Sequence, residues 1–158
     1  MKQFTLAAFS AERRIAALGL FRSTQLDDTR LRHLPLDASK AVGSVRELAL
    51  RTFESFRPEF VAISSPSGKA GPRVRAFCDA VKEIATELGI PTTEVDDTAL
   101  MGAYGHPPLT RKEQARRAGR VIWPGLNDIH SQRAAVDAAL TGLYIQTGRL
   151  FSLHEGER

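Results

Sequence analysis

The chain has 158 residues, enough for one domain with its own core. Its 22 Lys and Arg against 18 Asp and Glu leave a net charge of +4, which permits contact with nucleic acid without requiring it. A single cysteine, Cys78, excludes an internal disulfide and a multi-cysteine zinc site, and no apolar run nears membrane-spanning length, so the expectation is a cytoplasmic protein with no membrane partner.

Two short apolar stretches open the chain, Phe4 to Phe9 and Arg14 to Phe21. Only Ser10 to Arg13 separate them, which suits a hairpin. A third strand is predicted over Thr29 to Leu36, where Pro35 suits an end or an edge, with "QLDDT" read as the turn before it. Val42, Val45, Leu48, Ala49, Phe53 and Phe56 then recur at helical spacing, so a helix is predicted from Ala38 to Arg57, stopped at Pro58. "FVAIS", Phe60 to Ser64, reads as a buried strand running into the loop "SPSG".

A second helix is predicted from Gly71 to Leu88, with Pro72 in its first turn, Cys78 on its apolar stripe and Gly89 just past its end. Ile90 to Asp96 reads as a strand with Glu94 and Asp96 on one side. "RKEQARRAGR", 111 to 120, is a short basic helix. The last helix, starting near Asp128 or Ser131, is apolar nearly all round, and "HEGER" reads as a frayed tail. Three meandering strands followed by alternating helices and strands predict an α/β fold: one mixed sheet flanked by helices, in a single domain over 1–158.

Several groups could carry chemistry. Asp137 in "RAAVDAALTGL" is a carboxylate among small apolar residues, either a site acid or the partner of Arg133 one turn back. Glu94 and Asp96 could bind a metal or lie solvated at a strand end. Ser64, Ser65, Ser67 and Lys69, followed by a helix start, could hold a phosphate or simply cap that helix, since no Walker pattern is present. Arg111, Lys112, Arg116, Arg117 and Arg120 could contact a phosphate backbone or form a solvated face. Trp123 could stack on a base or pack on a helix.

The element order resembles the RNase H-like fold. "AAFSAERRIAALGLF" is similar to the opening hairpin of RuvC-type resolvases and YqgF-type proteins. "VAISSPSGKAGPRVRAFCDAVKEIATELGIPTTEVDD" resembles their strand, proline-containing loop, helix and acid-bearing strand. "HSQRAAVDAALTGLYIQTGRL" is similar to their last helix, and the likeness spans nearly the whole chain.

That resemblance implies a site in which acids on the first strand, the fourth strand, sometimes the fifth, and the last helix hold Mg2+ or Mn2+ for phosphodiester hydrolysis. Carried onto this sequence, it places Phe9 at the first-strand acid and Ser64 at the fourth-strand acid, and it keeps Glu94, Asp96 and Asp137. The resulting expectation is a RuvC-like nucleic-acid binder with an eroded metal site. Two alternatives stay open: a nuclease using Glu94, Asp96 and Asp137 as metal ligands with Ser64 assisting, or a non-catalytic assembly module. A homodimer is compatible with any of the three.

Overall fold

A computed structural model describes residues 4–65, 71–96, 99 and 133–156. The sheet is built from β1 (Thr5–Ala11), β2 (Ile15–Arg22), β3 (Gln25–His33), β4 (Phe60–Ser65) and β5 (Thr92–Asp96). Its spatial order is β3-β2-β1-β4-β5. The first three strands form an antiparallel meander, and β4 and β5 then add in parallel to β1. Helices α1 (Ala38–Phe56), α2 (Pro72–Glu87) and α3 (Arg133–Gly156) flank the sheet. Among the described residues, no helix is long and apolar enough to cross a membrane.

Side chains alternate across a strand, so each central strand feeds two cores. Ala7, Phe9, Leu18, Val61 and Ile63 pack under α1 and α2, against Val45, Phe53, Phe77 and Val81. Leu6, Ala8, Phe21, Ala62 and Val95 pack under α3, against Ala139, Leu140 and Leu143. A strand covered on both faces reads as a continuous apolar run, which is why "TLAAF" and "FVAI" carry no polar alternation.

Several boundaries differ from the sequence reading: β3 ends at His33 rather than Leu36, and β5 starts at Thr92 rather than Ile90. β3 starts at Gln25, so "QLDDT" is strand and the turn is Ser23–Thr24, with Ser23 at φ 51°. Asp27 is the extra residue of a bulge, because Leu20 pairs with Asp28 and Phe21 with Leu26. Its carboxylate meets Arg22 at 2.6 Å. The aspartates read as turn chemistry because an edge strand tolerates exposed charge where a central one does not. At the other end of the chain, α3 runs to Gly156, so part of the expected tail is helical.

The connections fix which end of the sheet carries what. Asp37 caps α1, its side chain accepting from the Lys40 backbone N–H at 2.9 Å. α1 therefore begins where β3 ends, and α2 begins after β4. Ala138 lies against Ala17, near the carboxyl end of β1, while Gln146 Nε2 donates to the Phe4 carbonyl at the opposite end, at 3.3 Å. All three helices thus turn their N-termini to the edge where the parallel strands end.

Small residues bring α3 onto β2. A Cβ on Gly19 would sit 3.7 Å from the Ala138 backbone, and one on Gly142 would overlap the Phe21 ring. Gly142→Ala should therefore cost about 1–3 kcal/mol in urea unfolding by overpacking. The same substitution made in Phe21→Leu should cost less, because the ring it strikes is gone.

Candidate functional site

Carboxylates from β1, β4 and the last helix can share an ion only if the strand residues face that helix. Register decides which residues do. Phe9 pairs with Ile63, and both lie in the core under α1 and α2. Phe9 is fully buried there and is not a site position, which corrects the expectation placed on it. The reason is strand alternation: the residue facing α3 is Ser10, paired across the hairpin with Ala17, which packs on Ala138.

Phe9–Ile63 is the last registered pair of β1 and β4, and one residue further along each strand the alternation turns Ser10 and Ser64 to the α3 face. Val95 follows as the neighbour of Ser64 on β5. Ser10 is 3% exposed and Ser64 is 8% exposed. Asp137 immediately precedes Ala138 on α3, at this same end of the sheet, and is buried at 8% exposure. The structure therefore gathers Ser10, Ser64 and Asp137 at one edge.

Glu94 and Asp96 do not join them. Glu94 pairs in register with Ile63 and Asp96 with Ser65, so both belong to the α2 side of the sheet. Glu94 meets Arg75 of α2 at 3.5 Å, and Asp96 accepts the Ala99 backbone N–H at 2.8 Å. A ligand set of Glu94, Asp96 and Asp137 is thus split across the sheet, and among the described residues no three His, Cys, Asp or Glu side chains gather as a metal centre would require. Magnesium favours six oxygen ligands with carboxylate charge among them. Among the described residues, the α3 side of this edge offers two hydroxyls and one carboxylate, fewer charged oxygens than a pair of such ions favours. Lys69, Arg111, Lys112, Arg116, Arg117, Arg120 and Trp123 lie outside the described residues.

Behind the serine pair, Cys78 of α2 is 1% exposed, and its Sγ lies 3.8 Å from the Ser64 carbonyl, to which it donates. Burial pushes its thiol up to about 11, with the charges of Glu94 and Asp79 adding to the rise and Arg75 opposing it.

Sequence reading passed over the arginines around this edge. Arg73, in the first turn of α2, donates to three carbonyls: Nε to Arg13 at 2.8 Å, one terminal nitrogen to Leu36 at 2.9 Å and the other to Pro35 at 2.5 Å. Its guanidinium also lies 5.3 Å from the centre of the Phe77 ring. Arg14 donates Nε to the Leu34 carbonyl at 3.0 Å. Carbonyl acceptors hold these cations in place without neutralising them. Isolated arginines give no periodic signal, which is why the sequence did not mark them.

The architecture is that of the RNase H-like fold: three antiparallel strands, then parallel strands, with helices on both faces. Within that class it is similar to RuvC of Thermus thermophilus, solved in complex with a Holliday junction substrate, with a TM-score of 0.77 and 20% identity over 93% of this chain and 96% of that one. It is also similar to the yeast mitochondrial Holliday junction resolvase Ydc2 (TM-score 0.68, 10% identity, 95% of this chain and 81% of that one). The fowlpox virus resolvase, solved with Holliday junction DNA, gives a TM-score of 0.55 at 12% identity over 95% and 99% of the two chains. No family model matches the sequence, and no curated protein does.

The Cys78 thiol carries a prediction. A thiol whose folded pKa is raised stabilises the fold fully below its unfolded value of 9.0 and loses that contribution as pH climbs through about 11. Two units correspond to roughly 2–3 kcal/mol at the upper limit. Chemical unfolding of the wild type should weaken between pH 9 and 11 more than that of Cys78→Ala. Equal slopes would contradict the burial.

Proposed function

We propose that this chain is a RuvC-fold nucleic-acid-binding protein that makes little or no use of metal-dependent cleavage. The Ser10–Ser64 pair carries this reading. RuvC-type nucleases hold divalent ions with acids at the ends of these two strands, and here both positions bear neutral hydroxyls.

Electrostatics support the same reading. A carboxylate cluster repels phosphate until cations neutralise it. Among the described residues the serine edge carries one carboxylate, Asp137, rather than a cluster, and three helix N-termini face it with the positive ends of their dipoles. Of the acids nearby, Glu94 is paired with Arg75, Asp37 is engaged at the start of α1 and Asp96 at Ala99, which leaves Asp137 as the one buried carboxylate on the serine side among the described residues. Arg111, Lys112, Arg116, Arg117, Arg120 and Lys69 supply further phosphate-backbone contacts, which position a nucleic acid without reading its sequence. The solved resolvases with Holliday junctions bound make branched DNA the first substrate to test.

Binding of branched, single-stranded and duplex DNA, followed by anisotropy, should weaken steeply with salt, and Arg116→Gln with Arg117→Gln should reduce the slope by about 2. At millimolar Mg2+ or Mn2+ no cleavage product should accumulate, and Asp137→Asn should leave affinity unchanged. Cleavage that disappears in Asp137→Asn would make the chain an active nuclease with a rearranged carboxylate set. Absence of salt-sensitive binding to any of the three DNAs would remove the nucleic-acid reading altogether.

A further inference from the structure

Leu36 is 71% exposed, well above Leu88, Leu50 and Tyr144, the other exposed large apolar side chains whose burial is described. It immediately precedes Asp37, the cap of α1. An apolar residue at that position ordinarily folds down onto the fourth residue of the helix and closes the entry as a staple. Here the fourth residue is Ala41, which is wholly buried, while Leu36 stands out in solvent. A staple therefore does not account for it.

The backbone around Leu36 is held firmly. The Arg73 guanidinium bonds the carbonyls of Pro35 and Leu36 together with that of Arg13, and Pro35 restricts the chain further. The clasp joins the β3–α1 connection to the β1–β2 turn, the turn that follows Ser10. Arg13 and Arg14 are exposed on that turn. The side chain of Leu36 thus projects from a rigid mount at the strand-end edge, flanked by three cations: Arg13, Arg14 and Arg73. The acids close by are Glu12, half-buried on the same turn, and Asp37, which is engaged at the helix start.

We infer that Leu36 is an apolar wedge that enters an opened base step of a bound nucleic acid, with Arg13 and Arg14 on the flanking phosphates. This rests on the nucleic-acid reading above. Leucine wedges between base steps are a known way of unstacking them, and a side chain already fixed in place loses little freedom on insertion. Charge selects the partner: an apolar tip amid cations suits a polyanion whose interior is apolar, and a branch point offers an unstacked step at low cost.

The test uses the full-length chain and a four-way DNA junction carrying 2-aminopurine at the branch, with the same label in linear duplex as a control. Wild-type binding should raise the junction fluorescence severalfold. Leu36→Ser, at an exposed position, should keep the wild-type melting temperature and bind about 10-fold more weakly, without the fluorescence rise. Arg13→Gln should keep the rise and lower the salt slope by about 1. If wild-type and Leu36→Ser proteins bind with the same affinity and the same rise, the wedge is wrong while the nucleic-acid reading stands. If Leu36→Ser weakens binding equally at low and high salt with no rise in either protein, Leu36 serves another contact and the wedge is again wrong. If the wild type binds neither DNA, both readings fall together.

Discussion

β1 and β4 are buried on both faces, and that double burial leaves their register no freedom. A slip of one residue would drive Phe9 and Ile63 into the space filled by α3, and Ser10 and Ser64 into the apolar core under α1 and α2. The cost of burying two hydroxyls among Phe53, Phe77 and Val81 and of displacing two large side chains locks the pairing. Everything said about the site follows from this lock. It brings both serines to the α3 face and sends Glu94 and Asp96 to the other.

The second consequence is electrostatic. The edge where the parallel strands end collects the N-termini of three helices and the clasped guanidinium of Arg73. In a carboxylate-bearing site these positive groups would face negative ones, and a divalent ion would complete the balance. Here Ser10 and Ser64 bring hydroxyls to that edge, and Asp137 is its one buried carboxylate among the described residues. The outer face of α2 has a different character. There Arg46 is paired with Glu83 at 2.6 Å and with Glu87 at 3.6 Å, beside a shallow depression lined by Asp79, Lys82 and Thr86. That face is self-neutralised and offers a polyanion little.

Most of the architecture was legible in the chain itself. The helical spacing of Val45, Leu48 and Phe53 and the short apolar runs of β1, β2 and β4 each stand on burial, which a sequence displays. The failures have specific causes. Asp27 and Asp28 look like a turn, yet they lie in a strand whose open edge leaves charge solvated. Ser10 was missed because "LAAFS" is apolar on both faces, so no alternation indicates which residue faces which helix; only the pairings of Phe9 with Ile63 and of Ser10 with Ala17 resolve it. Glu94 and Asp137 looked like partners because sequence distance says nothing about the two sides of a sheet. The Arg73 clasp depends on three carbonyls contributed by residues 13, 35 and 36, and carbonyls are common to every residue, so no side-chain pattern marks it.

The central claim is that the serine edge engages nucleic acid without a divalent ion. The most direct measurement is the equilibrium affinity for a four-way junction in excess EDTA and in millimolar Mg2+, at constant ionic strength. The account predicts affinities equal within about twofold, because no carboxylate cluster has to be neutralised before phosphate can approach. Binding that collapses in EDTA and returns with Mg2+ would contradict it, and would mean that Asp137 and its surroundings hold a metal after all.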